Sequence, residues 1–330
     1  MNEAMLDVRN LKVAFPNAAG VIRAVEGIDL AVGKGECVAL VGESGCGKSV
    51  TAMAIMRLLR TPPSVSRIDR LALDGVDLSR RTEREMGSIR GKDMALIFQD
   101  AMTALNPVMT VGRQIEEVYR RHTRIGKKEA RQRTIRALEL VGVPEAGSRV
   151  NSYPHQLSGG MRQRVLIALA FACVPKLIIA DEPTTSLDVT IQAQVLDLLK
   201  DMQVEHSVSA LLITHDLSVV AHMADTVYVM YSGKMVERTA VQELFLEPRH
   251  PYTQGLLASV PKLSDEEQVF VQIPDTVPHP MHKPSGCYFH PRCSYASDRC
   301  KERMPRLEMA DAGRQLRCWH PLQPTQEGES

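Results

Sequence analysis

Residues Gly42-Glu43-Ser44-Gly45-Cys46-Gly47-Lys48-Ser49 satisfy the pattern G-x-x-x-x-G-K-[ST] at every fixed position. The chemistry that such a run serves is phosphate binding. Its glycines allow backbone N–H groups to turn inward on an anion, and the N-terminus of the following helix adds a favourable field. Lys48 is expected to reach β- and γ-phosphate oxygens and Ser49 to offer its hydroxyl to Mg²⁺, with Val50 completing the nucleotide-contacting run. Farther along, Asp181 closes the apolar run Leu177-Ile178-Ile179-Ala180, and a carboxylate at a strand end can hold a Mg²⁺ shell. Glu182 beside it is placed to polarise an attacking water. Phosphoryl transfer asks a protein mainly for position and charge, so these few groups suffice in type.

Such groups need elements to hold them. Residues 5–13 and 35–41 read as strands from their apolar patterning, and the glycine run follows the second. Ser49 to Leu59 reads as a helix, with Ala52, Ile55, Met56 and Leu59 at helical spacing. Ala95 to Phe98 is a short strand ending at Gln99. From Val111 to Val141 the pattern is helical and polar, crowded with Arg120, Arg121, Arg124, Lys127, Lys128, Arg131, Arg133 and Arg136, which read as a solvated face. Ser158 to Cys173 reads as a helix opening on Gly-Gly. Lys176 to Ala180 and Ala210 to Thr214 read as buried strands, one running into Asp181 and the other into His215. Apolar strands alternating with helices predict an α/β fold with a mostly parallel sheet. Beyond about residue 262, prolines 274, 278, 280, 284 and 291 punctuate a segment too irregular for that sheet. The expected division is one domain over 1–262, with a helical subdomain inserted at about 100–170, and a small extension over 263–330.

Composition excludes more than it names. A net charge of +1 gives no basic footprint for nucleic acid and no field toward anionic lipid. No stretch reaches the ~18 apolar residues of a membrane-spanning helix, and the opening residues MNEAMLDVRN lack a signal-peptide core. The expected location is the cytoplasm, with any membrane role exercised through a partner. Of seven cysteines, Cys287, Cys293, Cys300 and Cys318 fall within 32 residues, separated by five, six and seventeen residues. In a reducing compartment such a cluster suggests a metal rather than disulfides. Four thiolates can hold a [4Fe–4S] cluster or a tetrahedral zinc. His290 and His320 lie close by, either as substitute ligands or as packing neighbours.

Leu157-Ser158-Gly159-Gly160-Met161 resembles the signature of the ATP-binding-cassette (ABC) ATPases. Gln99 resembles their Q-loop glutamine, Ser186-Leu187-Asp188 their D-loop and His215 their switch histidine. The resemblance runs from the first strand to about residue 261. It implies an ABC-type nucleotide-binding domain, with a RecA-like parallel core plus a helical subdomain, that uses ATP and Mg²⁺. Glu182, His215 and Gln99 are then expected to be catalytic. Ser49, Gln99 and Asp181 are expected to hold Mg²⁺, and Phe15 to stack on adenine. The signature offers donors for a phosphate although the chain already has a phosphate loop. In the family a head-to-tail dimer resolves this, each ATP lying between one subunit's loop and the other's signature, and the switch is driven by differential binding to two states.

A closer resemblance, to the oligopeptide and dipeptide importer ATPases, covers nearly the whole chain. Phe98-Gln99-Asp100-Ala101-Met102-Thr103-Ala104-Leu105-Asn106-Pro107 is similar to that branch's FQDPMTSLNP segment, with alanine where proline and serine are usual. Residues 180–199, His250-Pro251-Tyr252-Thr253 and the C-terminal cysteine segment are also similar. That last likeness favours iron–sulfur over zinc for the four cysteines. Lys48-Ser49-Val50-Thr51 looks more like the D-type than the F-type subunit of the branch, which implies a heterodimer. The resemblance further implies two transmembrane permease subunits, an extracytoplasmic peptide-binding protein and a peripheral place on the cytoplasmic face of the membrane. The cargo itself is not encoded here: a nickel complex, glutathione or a sugar would leave the same residues. A soluble ABC ATPase acting on DNA or ribosomes usually carries two cassettes or a long coiled coil, and this chain carries one motif set and no long heptad insertion.

Overall fold

The computed structural model describes residues 4–185, 187–259, 273–311 and 313–323. The expected boundary near residue 262 lies outside them. Within the chain two compact units form, one built from Met1–Leu6, Ala31–Cys37 and Ala72–Ile213, the other from Asp7–Leu30, Val38–Leu71 and Thr214–Ser330.

In the first unit three parallel strands carry the acidic motif. Leu177–Asp181 pairs with Met94–Ile97 on one side (Met94 opposite Leu177) and with Ser209–Thr214 on the other (Asp181 opposite Ile213). Every residue of Leu177–Asp181 and Ser209–Thr214 is buried. That follows from their continuous apolar runs, because a parallel strand covered on both faces has no solvent side to alternate toward. The helices of this unit include Val111–His122, Lys127–Leu140, Gly159–Phe171 and Val189–Glu205, and Gly159–Phe171 packs against the other three. The single helical stretch expected over Val111 to Val141 is in fact two helices. Thr123 leaves helical geometry at φ −125° and Gly126 opens the second helix in an extended conformation. Both are weak helix formers.

In the second unit Cys37–Val41 runs parallel to Thr226–Tyr231, with Val38 opposite Thr226. Thr226–Tyr231 pairs antiparallel with Lys234–Ala240, which pairs in turn with Arg314–Leu316, and Glu308–Asp311 follows at the edge. Two short strands from the C-terminal segment therefore extend this unit's sheet. The proline-rich composition concealed them because they are only three and four residues long. The helix after the glycine run, Lys48–Ile55, is shorter than the expected Ser49 to Leu59. Arg57 turns left-handed at φ 53°, and Pro62-Pro63 close by cannot continue a helix. A buried core of Val41, Val229, Tyr231, Val236, Tyr252 and Phe289 joins the sheet to the C-terminal segment.

Candidate functional site

The glycine run wraps the start of Lys48–Ile55. Gly47 sits at φ 111° as the residue before that helix, and a Cβ there would lie 2.5 Å from the Ala24 carbonyl oxygen. Only glycine meets both demands. The Lys48 ammonium, 5% exposed, donates to the carbonyl oxygens of Gly42 (2.7 Å) and Glu43 (3.1 Å). Ser44, Gly45 and Ser49 are exposed and Val50 half-buried. Cys46 is buried, and burial pushes its thiol pKa up. An ammonium, a hydroxyl and the amides at a helix start form a donor set suited to a polyphosphate.

In the first unit Asp181 is 8% exposed at the end of its strand. Glu182 turns out of the sheet at φ 45°, and its N–H still donates to the Ile213 carbonyl at 2.8 Å. Two donors land on the same Glu182 carboxylate oxygen, Oε2: Gln99 Nε2 at 2.9 Å and Thr185 Oγ1 at 3.0 Å. The structure thus brings Gln99 to Glu182, which the sequence placed 83 residues apart, and adds Thr185, which sequence reasoning had passed over. A general base whose carboxylate is held on one oxygen keeps a defined direction for a water. Carboxylate and amide oxygens are hard donors of the kind Mg²⁺ takes, commonly one or two per site with waters and phosphates supplying the rest.

The signature and the D-loop pack together within the same unit. Ser158 caps Gly159–Phe171, its Oγ accepting the Met161 N–H at 3.3 Å, while Leu157 is buried just before it. A Cβ at Gly160 would fall 2.7 Å from Ile191 Cγ2, and one at Gly159 would fall 3.6 Å from Leu187. Ile191 opens the helix that Asp188 caps, with the Asp188 carboxylate accepting the Ile191 N–H at 3.0 Å. The second signature glycine is therefore needed for close approach as well as for amide exposure. Ser186 lies outside the described residues. In the second unit, His215 is exposed between the strand Ser209–Thr214 and the helix Leu217–Met223, which Asp216 caps. Phe15 is half-buried near the end of the strand Ala4–Asn17.

Cys287, Cys293, Cys300 and Cys318 converge, with Phe289, Tyr295 and Trp319, on a cavity of about 10 Å³. Sequence spacing brought them together correctly, but the iron–sulfur and zinc assignments are overturned. Among the described residues no group of three or more His, Cys, Asp or Glu side chains is arranged to hold a metal ion. The physical reason is the setting. Burial raises the thiol pKa of Cys287 and Cys293 and pushes that of Cys318 up to about 12, so these three favour the neutral thiol as they stand. His290 and His320 serve as packing neighbours: a ring nitrogen of His290 meets the Cys287 carbonyl at 2.9 Å, and His320 meets the Ser297 hydroxyl at 2.7 Å.

Comparison with known proteins agrees with the motifs. A family model described as ABC transporter matches residues 25–185, and one described as oligopeptide/dipeptide transporter, C-terminal region, matches residues 236–300. The chain is 50% identical over 315 residues to the oligopeptide transport ATP-binding protein AppD of Bacillus subtilis (strain 168), covering 96% of each. It is 48% identical over 319 residues to the dipeptide transport ATP-binding protein DppD of Escherichia coli (strain K12), covering 97% of each. Among solved structures it resembles the dimeric ATP-binding cassette MJ0796 in a post-hydrolysis state bound to ADP and Pi. That match has a TM-score of 0.64 at 26% identity and covers 72% of this chain and 99% of the other.

Proposed function

Because the chain belongs to the oligopeptide/dipeptide branch of the ABC transporter ATPases, we propose that it hydrolyses ATP to power the import of di- and oligopeptides through separate permease subunits. The observation that carries this reading is the pairing, in one chain, of a cassette with the C-terminal region that marks the peptide branch. Among the described residues no helix is long and apolar enough to cross a membrane. The membrane path then belongs to two permease subunits, with an extracytoplasmic peptide-binding protein delivering cargo and this chain peripheral on the cytoplasmic face. A paralogous F-type ATPase is the partner in a head-to-tail heterodimer.

In this reading the loop Gly42 to Val50 binds the ATP phosphates, with Lys48 leaving its two loop carbonyls to meet the β- and γ-oxygens. Ser49, Asp181 and Gln99 would hold Mg²⁺, which would supply positive charge for the phosphates. Glu182, steadied by Gln99 and Thr185, orients the attacking water and accepts its proton. His215 holds the γ-phosphate, Phe15 stacks on adenine, and Leu157 to Met161 serve the nucleotide bound mainly by the partner. Ser186, Leu187 and Asp188 line the subunit junction.

The test is reconstitution with the permeases, the partner ATPase and the binding protein in vesicles. Labelled dipeptide should accumulate only with ATP on the cytoplasmic side, and Lys48→Ala should abolish uptake. ATP hydrolysis that another solute stimulates and no peptide does would overturn the peptide assignment.

A further inference from the structure

Glu43, the second residue of the phosphate loop, turns its side chain away from the loop's mouth and toward the C-terminal segment. Its carboxylate accepts two hydrogen bonds from the Arg292 guanidinium, Nη1 to Oε2 at 2.7 Å and Nη2 to Oε1 at 2.9 Å. The Arg292 side chain is 2% exposed and that of Glu43 28% exposed. Arg292 is held in turn, its Nε donating to the Pro274 carbonyl at 2.8 Å and its Nη1 to the Tyr231 hydroxyl at 3.4 Å. The backbone of Glu43 is held as well. Its N–H donates to the hydroxyl of the fully buried Tyr252 at 2.8 Å, and its carbonyl accepts from Lys48. Tyr231, Tyr252 and Phe289 stack edge to face or tilted at 4.7–5.4 Å, forming a rigid wall beneath these contacts.

Every polar group of Glu43 thus has a partner, and two of the partners lie well beyond the cassette motifs. A planar guanidinium forked onto a carboxylate fixes direction as well as distance, which a single contact does not. Burial works against the Arg292 charge, yet the hydrogen bonds it donates to Glu43 and then Tyr231 hold its pKa above the ordinary arginine value. A buried arginine that has lost such a partner is costly, so the pair stays closed. The Glu43 carbonyl also accepts the Cys46 N–H at 3.3 Å, so the turn from Glu43 to Lys48 is set partly from the C-terminal segment.

We propose that Arg292 is a positioning residue for the phosphate loop, so that docking of the C-terminal segment onto Glu43 sets the affinity for ATP. This rests on the reading that the loop binds the ATP phosphates. Arg292 acts through its contact with Glu43.

The experiment measures ATP·Mg²⁺ affinity of the full chain, and KM and kcat of the assembled transporter, for wild type, Arg292→Ala, Arg292→Lys, Glu43→Gln and Arg292→Ala/Glu43→Gln. Arg292→Ala should weaken ATP binding roughly three- to thirtyfold, part of what a lost charge-assisted hydrogen bond costs because the effect reaches ATP through the loop, with KM rising far more than kcat falls. Arg292→Lys, which keeps the charge and loses the fork, should fall between the two. The double variant should bind ATP no more weakly than the worse single one, because both changes remove one contact. A folded Arg292→Ala protein whose melting temperature drops while ATP affinity stays within twofold would reduce Arg292 to a structural role and overturn the proposal, as would additive effects in the double variant. If Arg292→Ala does not fold, unchanged affinity in Arg292→Lys and Glu43→Gln overturns it equally. Lys48→Ala separates the two readings: if it still binds ATP, the loop assignment fails, and if it loses ATP while the Arg292 variants do not, only the brace fails.

Discussion

The phosphate loop and the cysteine cavity belong to the same unit, and each gathers reactive side chains at tight spacing. Their surroundings differ in kind. Lys48 is buried, yet its ammonium rests on two carbonyl oxygens, and Glu43 beside it is held by Arg292 and Tyr252. The thiols of the cavity line it with Phe289, Tyr295 and Trp319, and burial raises the pKa of Cys287, Cys293 and Cys318, which favours their neutral form. Residue type and spacing bring groups together in both places. At the loop two carbonyl oxygens offset the loss of water around Lys48, whereas at Cys287 and Cys318 burial outweighs the backbone hydrogen bonds that reach the sulfurs.

The largest effect that bears on this comparison is expected at Glu182. Glu182→Gln should lower the ATPase rate of the assembled transporter by about 10²- to 10⁴-fold, the usual weight of a general base, while ATP binding is retained. Hydrolysis at the wild-type rate would remove Glu182 from the reaction and leave its contacts with Gln99 and Thr185 without a chemical role.

The contrast between loop and cavity is most directly broken by elemental analysis. Protein purified without oxygen should carry no stoichiometric iron, sulfide or zinc. About four irons per chain would mean the cavity opens to hold a cluster, and the neutral-thiol description would fall. Alkylation asks the same question on a finer scale. With its thiol pKa near 12, Cys318 should react with iodoacetamide at neutral pH roughly tenfold or more slowly than free cysteine, because the thiolate is the nucleophile.

The smallest effect is one of pH. His250 lines the same cavity and is buried, which lowers its pKa to about 3. The unfolded chain binds a proton there below about pH 6.5 and the folded chain does not. Stability from this group is therefore present above pH 6.5 and is lost as pH falls toward 3, with a slope of at most about 1.4 kcal/mol per pH unit. Urea titrations at pH 7 and pH 5 should show a steeper acid loss for wild type than for His250→Gln. Equal slopes would mean that water reaches the cavity.

The strands under the motifs were legible in the sequence because a buried parallel strand needs a continuous apolar run, and both Leu177–Asp181 and Ser209–Thr214 have one. Lys48 and Asp181 stood out because a phosphate loop and a carboxylate closing an apolar run each accept few residue types; Gly159 and Gly160 stood out as donors at a helix start, and only packing shows Gly160 close against Ile191. The break at Thr123–Gly126 was missed because polar periodicity continues across it. The short strands Glu308–Asp311 and Arg314–Leu316 were missed because prolines and charges surround them.

The chain's order of residues determined the chemistry this protein can carry, because backbone geometry at a phosphate loop and hydrogen-bond capping at a signature helix are local demands met by neighbours in sequence. The tertiary structure decided what those demands could not reach. It brought Gln99 and Thr185 onto one oxygen of Glu182, set Arg292 against Glu43 from 249 residues away, and gathered four thiols around one small cavity. Charge state and side-chain direction depend on which groups fold alongside, and no spacing along the chain records that.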